Sequence, residues 1–424
     1  MERKYNGIHN LINSVDNVSD NGTNTLTHIV IVNKPGYPIP YVGGIERYSI
    51  ELAKNLAKKG LKITLVSSFI TSSHEIKVSR LKLINASLPL QRLAKEGSIK
   101  WLIHHVSGSL SYAITAFSHI IKSNSIIVHV NDGFTALILH VLKIITGKKY
   151  SIIVSVHAPP PWEMNYGKHP TLIKIAYILL YISGMLTSNQ VIAVNPIICE
   201  SIKQIKNKCI FIPNGLPQDI ITSRLNESSA SDIIKSYGIN KEYFLFVGRL
   251  VPEKGINKLL KIAYEYKYRY KGKDAIIVIG KGSLEGLVKK ASMLIKDLYY
   301  LGFVPRDHLK AFYLKAKALL ITSTVEGMPT VILEAIAHGT PVIAIKFRGI
   351  EEIQKHLGCN ALIITENPNQ ITRVMMNLLE QEKMLDEIMK KIVNEYNWGN
   401  IATIIIKEYR KLIGMNKILE RRFK

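Results

Sequence analysis

The chain has 424 residues, 47% hydrophobic and 21% charged, a composition that excludes a disordered protein and predicts two sizeable globular domains. Its three cysteines (Cys199, Cys209 and Cys359) are unevenly placed and suit reduced thiols inside a cell, and no Cys/His spacing is typical of a zinc site. The net charge of +24 favours anionic partners, and the absence of a nucleic-acid-binding module favours a membrane surface. A solvated basic face without a partner is the alternative.

The first domain is predicted over residues 27–212, after a polar, flexible tail at residues 1–26. It opens with strand His28–Val32, a turn-rich loop, an amphipathic helix closed by Gly60, and strand Leu61–Val66. Gly43 and Gly44 come directly before the helix, where a backbone without side chains can approach a phosphate. The alternative is that the two glycines only relieve a turn.

The alternation of strands and helices continues along the first domain. The predicted strands are Ser125–Asn131, Tyr150–Val156 and Gln190–Val194, with a helix over Phe134–Ile145. His157 follows a buried strand, at the edge where open α/β sheets place ligand-binding residues, although a lone histidine is more often structural. The apolar segment Leu172–Leu186 is too short to span a bilayer and is predicted to be a core helix, with an interfacial membrane helix as the alternative.

The second domain is predicted over residues 213–395, where a new series of strands begins. These are Tyr243–Val247, Ala275–Ile279, Tyr299–Leu301, Ala318–Ile321 and Pro341–Ile345, again separated by helical patterns. Strands that alternate with helices form parallel sheets with helices on both faces. The sequence therefore predicts the α/β class, with two doubly wound, Rossmann-like domains facing one another across a cleft.

Loops that follow strands of the second domain carry the residues that could bind a ligand. They are Gly248–Gly255, Gly280–Gly286, Gly302–Pro305 and Ser323–Pro329. In such sheets ligands bind at the carboxyl ends of the strands. Arg249 and Lys254, with the helix amino end at Met328–Thr330, are suited to phosphate oxygens and to a leaving diphosphate. The alternative for the two cations is ordinary surface charge.

Two acids flank the predicted anion site. Pro329 suits the first position of a helix because it lacks an N–H, and Gly339 suits its end. Glu326 lies just before this helix and Glu334 just inside it, so each could bind the hydroxyls of one of two sugars joined by a diphosphate. The spacing alone also fits a surface acid and a partner of the helix dipole.

Other motifs are weak or missing. The Gly280/Gly282/Gly286 spacing has one residue too many for a dinucleotide fingerprint, and no suitable acid follows it. The chain has no Walker A sequence, no His-Glu-X-X-His and no Asp-X-Asp. No metal site and no cofactor are therefore predicted, and a nicotinamide oxidoreductase is the least favoured function.

Taken together, these motifs resemble the retaining glycosyltransferases of family 4, with the GT-B fold. The resemblance spans about residues 28–413, and its second-domain motifs are specific in combination. It rests on Gly43-Gly44-Ile-Glu-Arg47, His157, Ile212-Pro-Asn-Gly215, Val247–Gly255, Gly280-Lys-Gly282, Glu326–Ala335, His338–Val342 and Asn397-Trp398. Thr322-Ser-Thr324 and Arg348–Glu351 depart from the family pattern, and the second departure leaves the contacts of that loop open.

The resemblance implies a nucleotide-diphosphate-sugar donor held mainly by the second domain. It implies catalytic roles for Glu326 on the transferred sugar, for Arg249 and Lys254 on the diphosphate, and for His157 on the sugar from the first domain. The implied donor-binding positions are Gly43, Gly44, Gly248, Gly280, Gly282, Val304, Gly327, Met328, Pro329, Thr330 and Glu334, with Glu334 on the ribose. Residues 396–424 would form a helix that crosses back to the first domain, followed by a basic tail.

The expected reaction is metal-independent transfer from a UDP- or GDP-sugar to a hydroxyl of a glycan or a lipid-linked acceptor. The acceptor would attack on the face that the diphosphate leaves. A cytoplasmic location is expected, with peripheral contact to anionic membrane as a further hypothesis and no nucleic-acid partner. The alternatives are a nucleotide-sugar epimerase of the same fold and a nonenzymatic basic protein that binds membranes or nucleic acid.

Overall fold

The computed structural model describes residues 28–34, 44–68, 78–86, 99–123, 127–157, 171–217, 219–220, 225–357, 361–377 and 382–422. The chain divides into two compact units. Unit 1 comprises residues up to Gly215 and from Trp398 onward, and unit 2 comprises Leu216–Asn397. The chain passes between the units within a few residues of the predicted positions 212 and 395.

Unit 1 contains a parallel sheet, seven-stranded within the described residues, with the order β3-β2-β1-β4-β5-β6-β7. Its strands are β1 (His28–Asn33), β2 (Lys62–Ser67), β3 (Leu81–Asn85), β4 (Ile127–Val130), β5 (Ser151–Val156), β6 (Gln190–Ala193) and β7 (Cys209–Phe211). The strands β1, β4, β5 and β6 are buried along their whole length. This burial on both faces explains why the sequences of these strands are short, mostly apolar runs.

The helices of unit 1 cover both faces of this sheet. They are α1 (Gly44–Lys58), α2 (Ile99–Ile121), α3 (Gly133–Thr146), α4 (Thr171–Thr187), α5 (Pro196–Ser201) and α14 (Trp398–Arg422). The helix α1 connects β1 to β2, toward one edge of the sheet, whereas α2, α3 and α4 connect strands in the opposite direction, toward β7. Because parallel crossovers are right-handed, α1 lies on one face of the sheet and α2, α3 and α4 lie on the other. The last helix, α14, packs against α1.

Unit 2 contains a second parallel sheet, six-stranded within the described residues, with the order β10-β9-β8-β11-β12-β13. Its strands are β8 (Tyr243–Val247), β9 (Ala275–Ile279), β10 (Leu298–Gly302), β11 (Ala318–Ile321), β12 (Val342–Ile345) and β13 (Leu362–Thr365). The sheet has a separate apolar core, which includes Phe244, Leu259 and Leu320. The sequence therefore predicts the α/β class and the two Rossmann-like parallel sheets correctly.

Helices alternate with the strands of unit 2. They are α6 (Glu227–Ser236), α7 (Ile256–Tyr264), α8 (Glu285–Leu294), α9 (Arg306–Leu314), α10 (Thr330–Ala337), α11 (Ile350–Leu357), α12 (Pro368–Met376) and α13 (Glu382–Glu395). Pro329 is the N-cap of α10 rather than its first residue, and Gly339 follows the helix with a left-handed φ of 76°. The buried stripe of Ile332, Ala335 and Ile336 agrees with the predicted one.

The expectation of reduced thiols is wrong for two of the three cysteines. Cys199 in α5 and Cys209 at the start of β7 form a disulfide, with their Cα atoms 5.5 Å apart. The connection between α5 and β7 reverses the chain within ten residues, and this brings the two side chains together. Cys359 lies outside the described residues.

The apolar segment Leu172–Leu186 forms α4, but it is not the buried core helix that the sequence predicts. Gly184 is buried against Gly133 of α3 and Met185 in the apolar core, whereas Leu172, Ile175, Leu179 and Leu186 are exposed. Among the described helices, none combines the length and the apolar character that crossing a bilayer requires.

Candidate functional site

The loops that follow β8, β9 and β10 are joined by backbone hydrogen bonds at the carboxyl edge of the second sheet. Gly248 N donates to Ile279 O over 3.1 Å, and Gly280 N donates to Gly302 O over 2.7 Å. Leu250 N donates to Lys281 O over 2.9 Å, and Leu250 O accepts from Leu284 N over 2.8 Å. These bonds fix three neighbouring loops as one rigid edge.

Gly280 and Gly282 are required by this loop-to-loop contact. A Cβ atom on Gly280 would lie 1.9 Å from the carbonyl oxygen of Gly248, and one on Gly282 would lie 2.4 Å from that of Leu250. Gly280 also has a φ of 142°, which other residues rarely adopt. The glycine pair that resembles a nucleotide fingerprint therefore serves first to seat the Gly248–Gly255 loop.

The loops that follow β8 and β11 are held together in the same way. Thr322 Oγ1 donates to Lys254 O over 2.8 Å, and Thr324 N donates to Glu253 O over 2.9 Å. Gly255 has a φ of 67°, and a Cβ atom there would lie 1.9 Å from Thr322 O. The strands β8 and β11 are neighbours in the sheet, so this contact follows directly from the strand order.

Lys254 and Glu326 form an ion pair across these two loops. Lys254 Nζ donates to Glu326 Oε1, and Ser323 Oγ donates to the same oxygen over 2.6 Å. The side chains are 22% and 12% exposed, respectively. The sequence suggests these residues as separate ligand groups, and the structure shows that each is also positioned by the other. Arg249, in the same loop as Lys254, is exposed.

Glu334 projects from the second turn of α10 into a buried polar setting. Its Oε2 atom accepts a hydrogen bond from the hydroxyl of Tyr313 over 3.0 Å, and its side chain is nearly inaccessible. His338 stacks on the Tyr313 ring at 5.6 Å and bonds the carbonyl oxygen of Glu334 through Nδ1 over 2.7 Å. Burial lowers the pKa of His338. Sequence reasoning misses Tyr313, because nothing in its local pattern marks it as a partner of Glu334.

The remaining predicted positions of unit 2 lie at the same sheet edge. Gly327, Met328 and Pro329 are buried between β11 and α10, and Thr330 is the first residue of that helix. Val304 follows β10 and is buried. The structure thus gathers every predicted unit 2 residue on loops that follow β8, β9, β10 and β11, or on the helix that begins there.

His157 occupies the carboxyl end of β5 in unit 1. Its ring meets the ring of Tyr48 edge-on, with centroids 4.2 Å apart. Burial lowers the pKa of His157 to about 3, so the imidazole is neutral at physiological pH. Gly44 is exposed at the start of α1, and Gly43 lies outside the described residues.

A buried hydrogen-bonded chain lies behind His157. His129 Nε2 bonds Ser155 Oγ, and its Nδ1 bonds the hydroxyl of Tyr409 in α14 over 2.5 Å. Ser155 Oγ is also 3.4 Å from the hydroxyl of Tyr48. Burial lowers the pKa of His129 to about 3 and raises that of Tyr48 to about 12, so both groups are neutral. These residues hold Tyr48 in place, and the sequence gives no signal for this chain of contacts.

A second buried cluster, at the ends of β1 and β4, has a structural role. Lys34 Nζ donates to Ser109 Oγ over 2.6 Å and to His105 O over 3.1 Å, and it lies 3.6 Å from Asp132 Oδ2. Asp132 caps α3 by accepting from Thr135 N. Burial raises the pKa of Asp132, but the charges of Lys34 and His105 and the hydrogen bonds from Thr135 lower it further, so it stays well below its usual range. The cluster ties the sheet to α2 and α3.

No metal ligand set accompanies these residues in the part of the chain that the structure describes, where no group of three His, Cys, Asp or Glu side chains is arranged to hold an ion. The charged groups that the sequence predicts at the unit 2 edge are instead two cations, Arg249 and Lys254, and two acidic residues, Glu326 and Glu334. This set can bind an anion and sugar hydroxyls together.

Sequence comparison gives two family matches that together cover most of the chain. Residues 42–219 match the model described as Glycosyltransferase Family 4, and residues 230–394 match Glycosyl transferases group 1. An uncharacterized glycosyltransferase of Methanocaldococcus jannaschii is 26% identical over 91% of this chain and 99% of its own length. A second from that organism is 28% identical over 68% of this chain and 76% of its own length.

Structure comparison agrees with the sequence matches at the level of the fold. A sucrose-phosphate synthase of Thermosynechococcus elongatus has a TM-score of 0.72 and 16% identity, covering 92% of this chain and 100% of that one. HepE of Anabaena, solved in complex with UDP, has a TM-score of 0.66 and 16% identity, covering 91% of this chain and 100% of that one.

Proposed function

This chain belongs to glycosyltransferase family 4 and has the GT-B fold, and on that premise we propose that it transfers a sugar from a nucleotide-diphosphate sugar to an acceptor hydroxyl. The donor is a UDP- or GDP-sugar, and the acceptor is a glycan or a lipid-linked glycan. Relatives support these classes: one solved neighbour binds UDP, and two curated relatives are named for teichuronic acid biosynthesis and O-antigen chain mannosyl transfer.

The observation that carries this proposal is the convergence of two cations and a helix amino end at one sheet edge. Arg249 and Lys254 lie on the loop after β8, and α10 begins after the neighbouring strand β11. A helix amino end offers free N–H groups and a partial positive charge, which suit a phosphate. These features support the proposal that the diphosphate of the donor binds between this helix end and the two side chains.

The two carboxylates take the hydroxyl groups on either side of that diphosphate. Glu334, held by Tyr313, accepts from the ribose hydroxyls of the nucleotide. Glu326, held by Lys254 and Ser323, accepts from the hydroxyls of the transferred sugar. The contact between Lys254 and Glu326 positions both side chains, so each is held in place before the donor binds.

Transfer proceeds through an oxocarbenium-like state in which negative charge grows on the departing diphosphate. Fixed cations and N–H groups stabilise this charge more in the transition state than in the ground state, and they lower the barrier by that difference. The acceptor attacks from the face that the diphosphate leaves, so the anomeric configuration is retained. A phosphate oxygen of the leaving group takes the acceptor proton.

The test begins with a thermal-shift screen of UDP- and GDP-sugars, followed by measurement of nucleoside diphosphate release with the donor that binds. Replacing Arg249 or Lys254 by Ala is expected to lower kcat by about 10²–10³, as loss of one stabilising donor does in other enzymes. Lys290→Ala is the matched control, because Lys290 is an exposed lysine on α8 away from the loop edge. Equal rates in all three variants would show that Arg249 and Lys254 do not contribute to catalysis.

Two further arms of this experiment separate the alternatives. EDTA is expected to leave the rate unchanged, since Arg249 and Lys254 supply the positive charge. Incubation with donor alone is expected to give only slow release of free sugar. Accumulation of an epimerised nucleotide sugar would instead identify an epimerase, and retention is read from the anomeric configuration of the product.

A further inference from the structure

The outer surface of unit 1 carries a set of exposed apolar side chains on three adjacent helices. We call it the outer helical face. Its members are Ile103, Leu110, Ile114 and Ile121 in α2, Val141, Ile144 and Ile145 in α3, and Leu172, Ile175, Leu179 and Leu186 in α4. Leu172 is 80% exposed, Ile145 73% and Ile144 68%. Large apolar residues are commonly exposed singly, but a contiguous set marks a site of interaction.

The spacing shows that the exposed residues form stripes along the helices. In α2 and α4 they recur at intervals of three, four or seven residues, which places them on one side of each helix. The opposite side of each helix packs into the core of unit 1, through Tyr112 and Ala116 in α2 and through Met185 in α4. These helices are therefore apolar on both sides, unlike ordinary surface helices.

The three stripes join into one surface because the helices pack directly on one another. The middle helix, α3, contacts both α2 and α4. At its amino end α3 touches α4 so closely that a Cβ atom on Gly184 would lie 1.7 Å from the carbonyl oxygen of Gly133. A helix of the length of α4 extends about 25 Å, so the face runs the depth of the sheet.

The charges on this surface have a single sign. The sequences of α2, α3 and α4 contain no Asp or Glu and one lysine each. Lysines bond carbonyl groups at the carboxyl ends of two of these helices. Lys148 Nζ donates to Ile121 O over 3.4 Å at the end of α2, and Lys208 Nζ donates to Leu186 O over 2.6 Å near the end of α4.

Two further exposed lysines, Lys122 and Lys149, are sequence neighbours of Ile121 and Lys148, so they add to the positive charge where α2 and α3 end. They flank Ile121, Ile144 and Ile145 in sequence, so the most exposed apolar residues of α3 lie within a group of cations. An apolar surface with a basic border has the composition of a segment that lies in the headgroup region of an anionic bilayer.

We propose that the outer helical face is a membrane-docking surface, on which the apolar stripes of α2, α3 and α4 enter the headgroup region of an anionic bilayer and the lysines at their carboxyl ends bind lipid phosphates. A bilayer matches both the apolar stripes and the single sign of charge. A second copy of the chain would bring the same lysines and no acid to the contact. Docking at this face deepens the proposed function, since it places unit 1 at the surface where a lipid-linked acceptor is found.

The test is flotation of the full chain with vesicles of phosphatidylcholine alone and of phosphatidylcholine mixed with phosphatidylglycerol. The wild type is expected to float with the anionic vesicles and to dissociate as salt is raised. Ile144→Glu combined with Ile145→Glu is expected to weaken binding at least tenfold. Lys148→Ala with Lys149→Ala is expected to weaken it by about 25-fold, at about 1 kcal/mol for each lysine near an anionic surface.

The matched control is Met293→Glu combined with Leu294→Glu. These residues are 84% and 77% exposed on α8 of unit 2, outside the outer helical face. The control is expected to float like the wild type, and both glutamate variants are expected to keep the wild-type melting temperature because their altered side chains are exposed. Equal loss of flotation in both glutamate variants, or no flotation of the wild type, overturns the proposal.

Two other measurements keep this inference separate from the proposed reaction. Size-exclusion chromatography of the wild type is expected to give the same mass as that of the Ile144→Glu/Ile145→Glu variant. A dimer that becomes a monomer in this variant, without vesicle binding, would assign the face to a protein contact instead. Donor binding followed by thermal shift is expected to be unchanged in the variant, so failure of docking leaves the donor site intact, and failure of donor binding leaves docking intact.

Discussion

The carboxylate of Glu334 shows how much the candidate site depends on a neighbour that sequence reasoning does not find. Tyr313 donates to Oε2 of Glu334 over 3.0 Å and so fixes the orientation of the carboxyl group to which the proposed function assigns the ribose hydroxyls. Tyr313→Phe is expected to lower nucleotide affinity about tenfold, because a hydrogen bond to a charged group contributes about 1.5–3 kcal/mol. Glu334→Ala is expected to weaken binding further. Isothermal titration calorimetry with the nucleotide selected by the donor screen measures both.

Tyr243→Phe is the matched control for this prediction. Its hydroxyl is also buried and donates to a backbone oxygen, Phe312 O, over 3.0 Å. It makes no contact with Glu334 among its described hydrogen bonds, so affinity is expected to stay at the wild-type level while folding stability falls slightly. If the control weakens the nucleotide as much as Tyr313→Phe does, the positioning role of Tyr313 is wrong.

His129 gives a pH prediction whose sign follows from its burial. Its folded pKa is about 3, against 6.5 for the free side chain, so below pH 6.5 the unfolded chain binds a proton that the folded chain does not. Stability is therefore lost as pH falls from about 6.5 toward 3. The loss at pH 5 is about 2 kcal/mol for this group, at about 1.36 kcal/mol for each pH unit.

His129→Gln is expected to flatten this pH dependence by about the same 2 kcal/mol between pH 7 and pH 5. The groups that face His129 are Ser155, Tyr409, Tyr48 and His157, and the pKa of His157 is also lowered to about 3, so part of the slope remains. Urea unfolding followed by tryptophan fluorescence measures it, because all three tryptophans (Trp101, Trp162 and Trp398) belong to unit 1. Parallel stability curves for the two proteins would refute the prediction.

At the scale of elements, the contact between the loops after β8 and β11 depends on Gly255. In Gly255→Ala, the alanine must adopt a left-handed φ, and its Cβ atom would lie 1.9 Å from Thr322 O. The substitution is therefore expected to destabilise unit 2 by about 2–5 kcal/mol. It is also expected to displace Lys254 from Glu326 and to lower kcat. Calorimetry and nucleoside diphosphate release measure the two effects.

Gly238→Ala separates backbone strain from the loop contact. Gly238 has a similar φ of 76°, but a Cβ atom there would meet nothing within 4 Å. It is expected to cost only about 1–2 kcal/mol and to leave kcat unchanged. Equal effects of the two substitutions would mean that the contact with Thr322 is unimportant.

The strands of the second sheet are the part of the fold that the sequence predicts best. The bounds of β8, β9 and β11 agree with the predicted strands at both ends, because each strand is a fully apolar run between turn residues. By contrast, no element is predicted between Val66 and Ser125, where the structure has β3 and α2. The strand β3 is a half-buried edge strand with mixed residues, and α2 is apolar on both sides, so it lacks the contrast that reveals a surface helix.

The candidate site was predictable as a set of loops but not as a set of contacts. Arg249, Lys254, Glu326 and Glu334 follow from strand ends and motif spacing. The pairing of Lys254 with Glu326 joins residues 72 positions apart, and it depends on β8 and β11 being neighbours in the sheet. Strand order is a property of the whole sheet, and no local pattern around either residue encodes it.

At the scale of the whole molecule, the described residues of each unit include an apolar cluster that contains residues of that unit's sheet and of no strand of the other. The chain crosses between the units at Gly215 and Leu216 and returns at Asn397 and Trp398. Within unit 1, Gly215 lies against the indole of Trp398, where a Cβ atom would be 2.8 Å from the ring. Gly215 directly precedes unit 2 in the chain and Trp398 directly follows it, so these two residues of unit 1 are in contact with each other.

Separate cores predict that the two units respond differently to the donor. A nucleotide held mainly by unit 2 stabilises that unit by about 2.7 kcal/mol at one hundred times its dissociation constant. Calorimetry is therefore expected to show two unfolding transitions. UDP or GDP is expected to raise the melting temperature of unit 2 only, and tryptophan fluorescence, which reports on unit 1, is expected to show no change. Glu334→Ala is expected to abolish the shift. If the nucleotide instead raises the fluorescence-detected transition of unit 1, the donor is held by the wrong unit for the proposed mechanism, and Arg249 and Lys254 lose their assigned role.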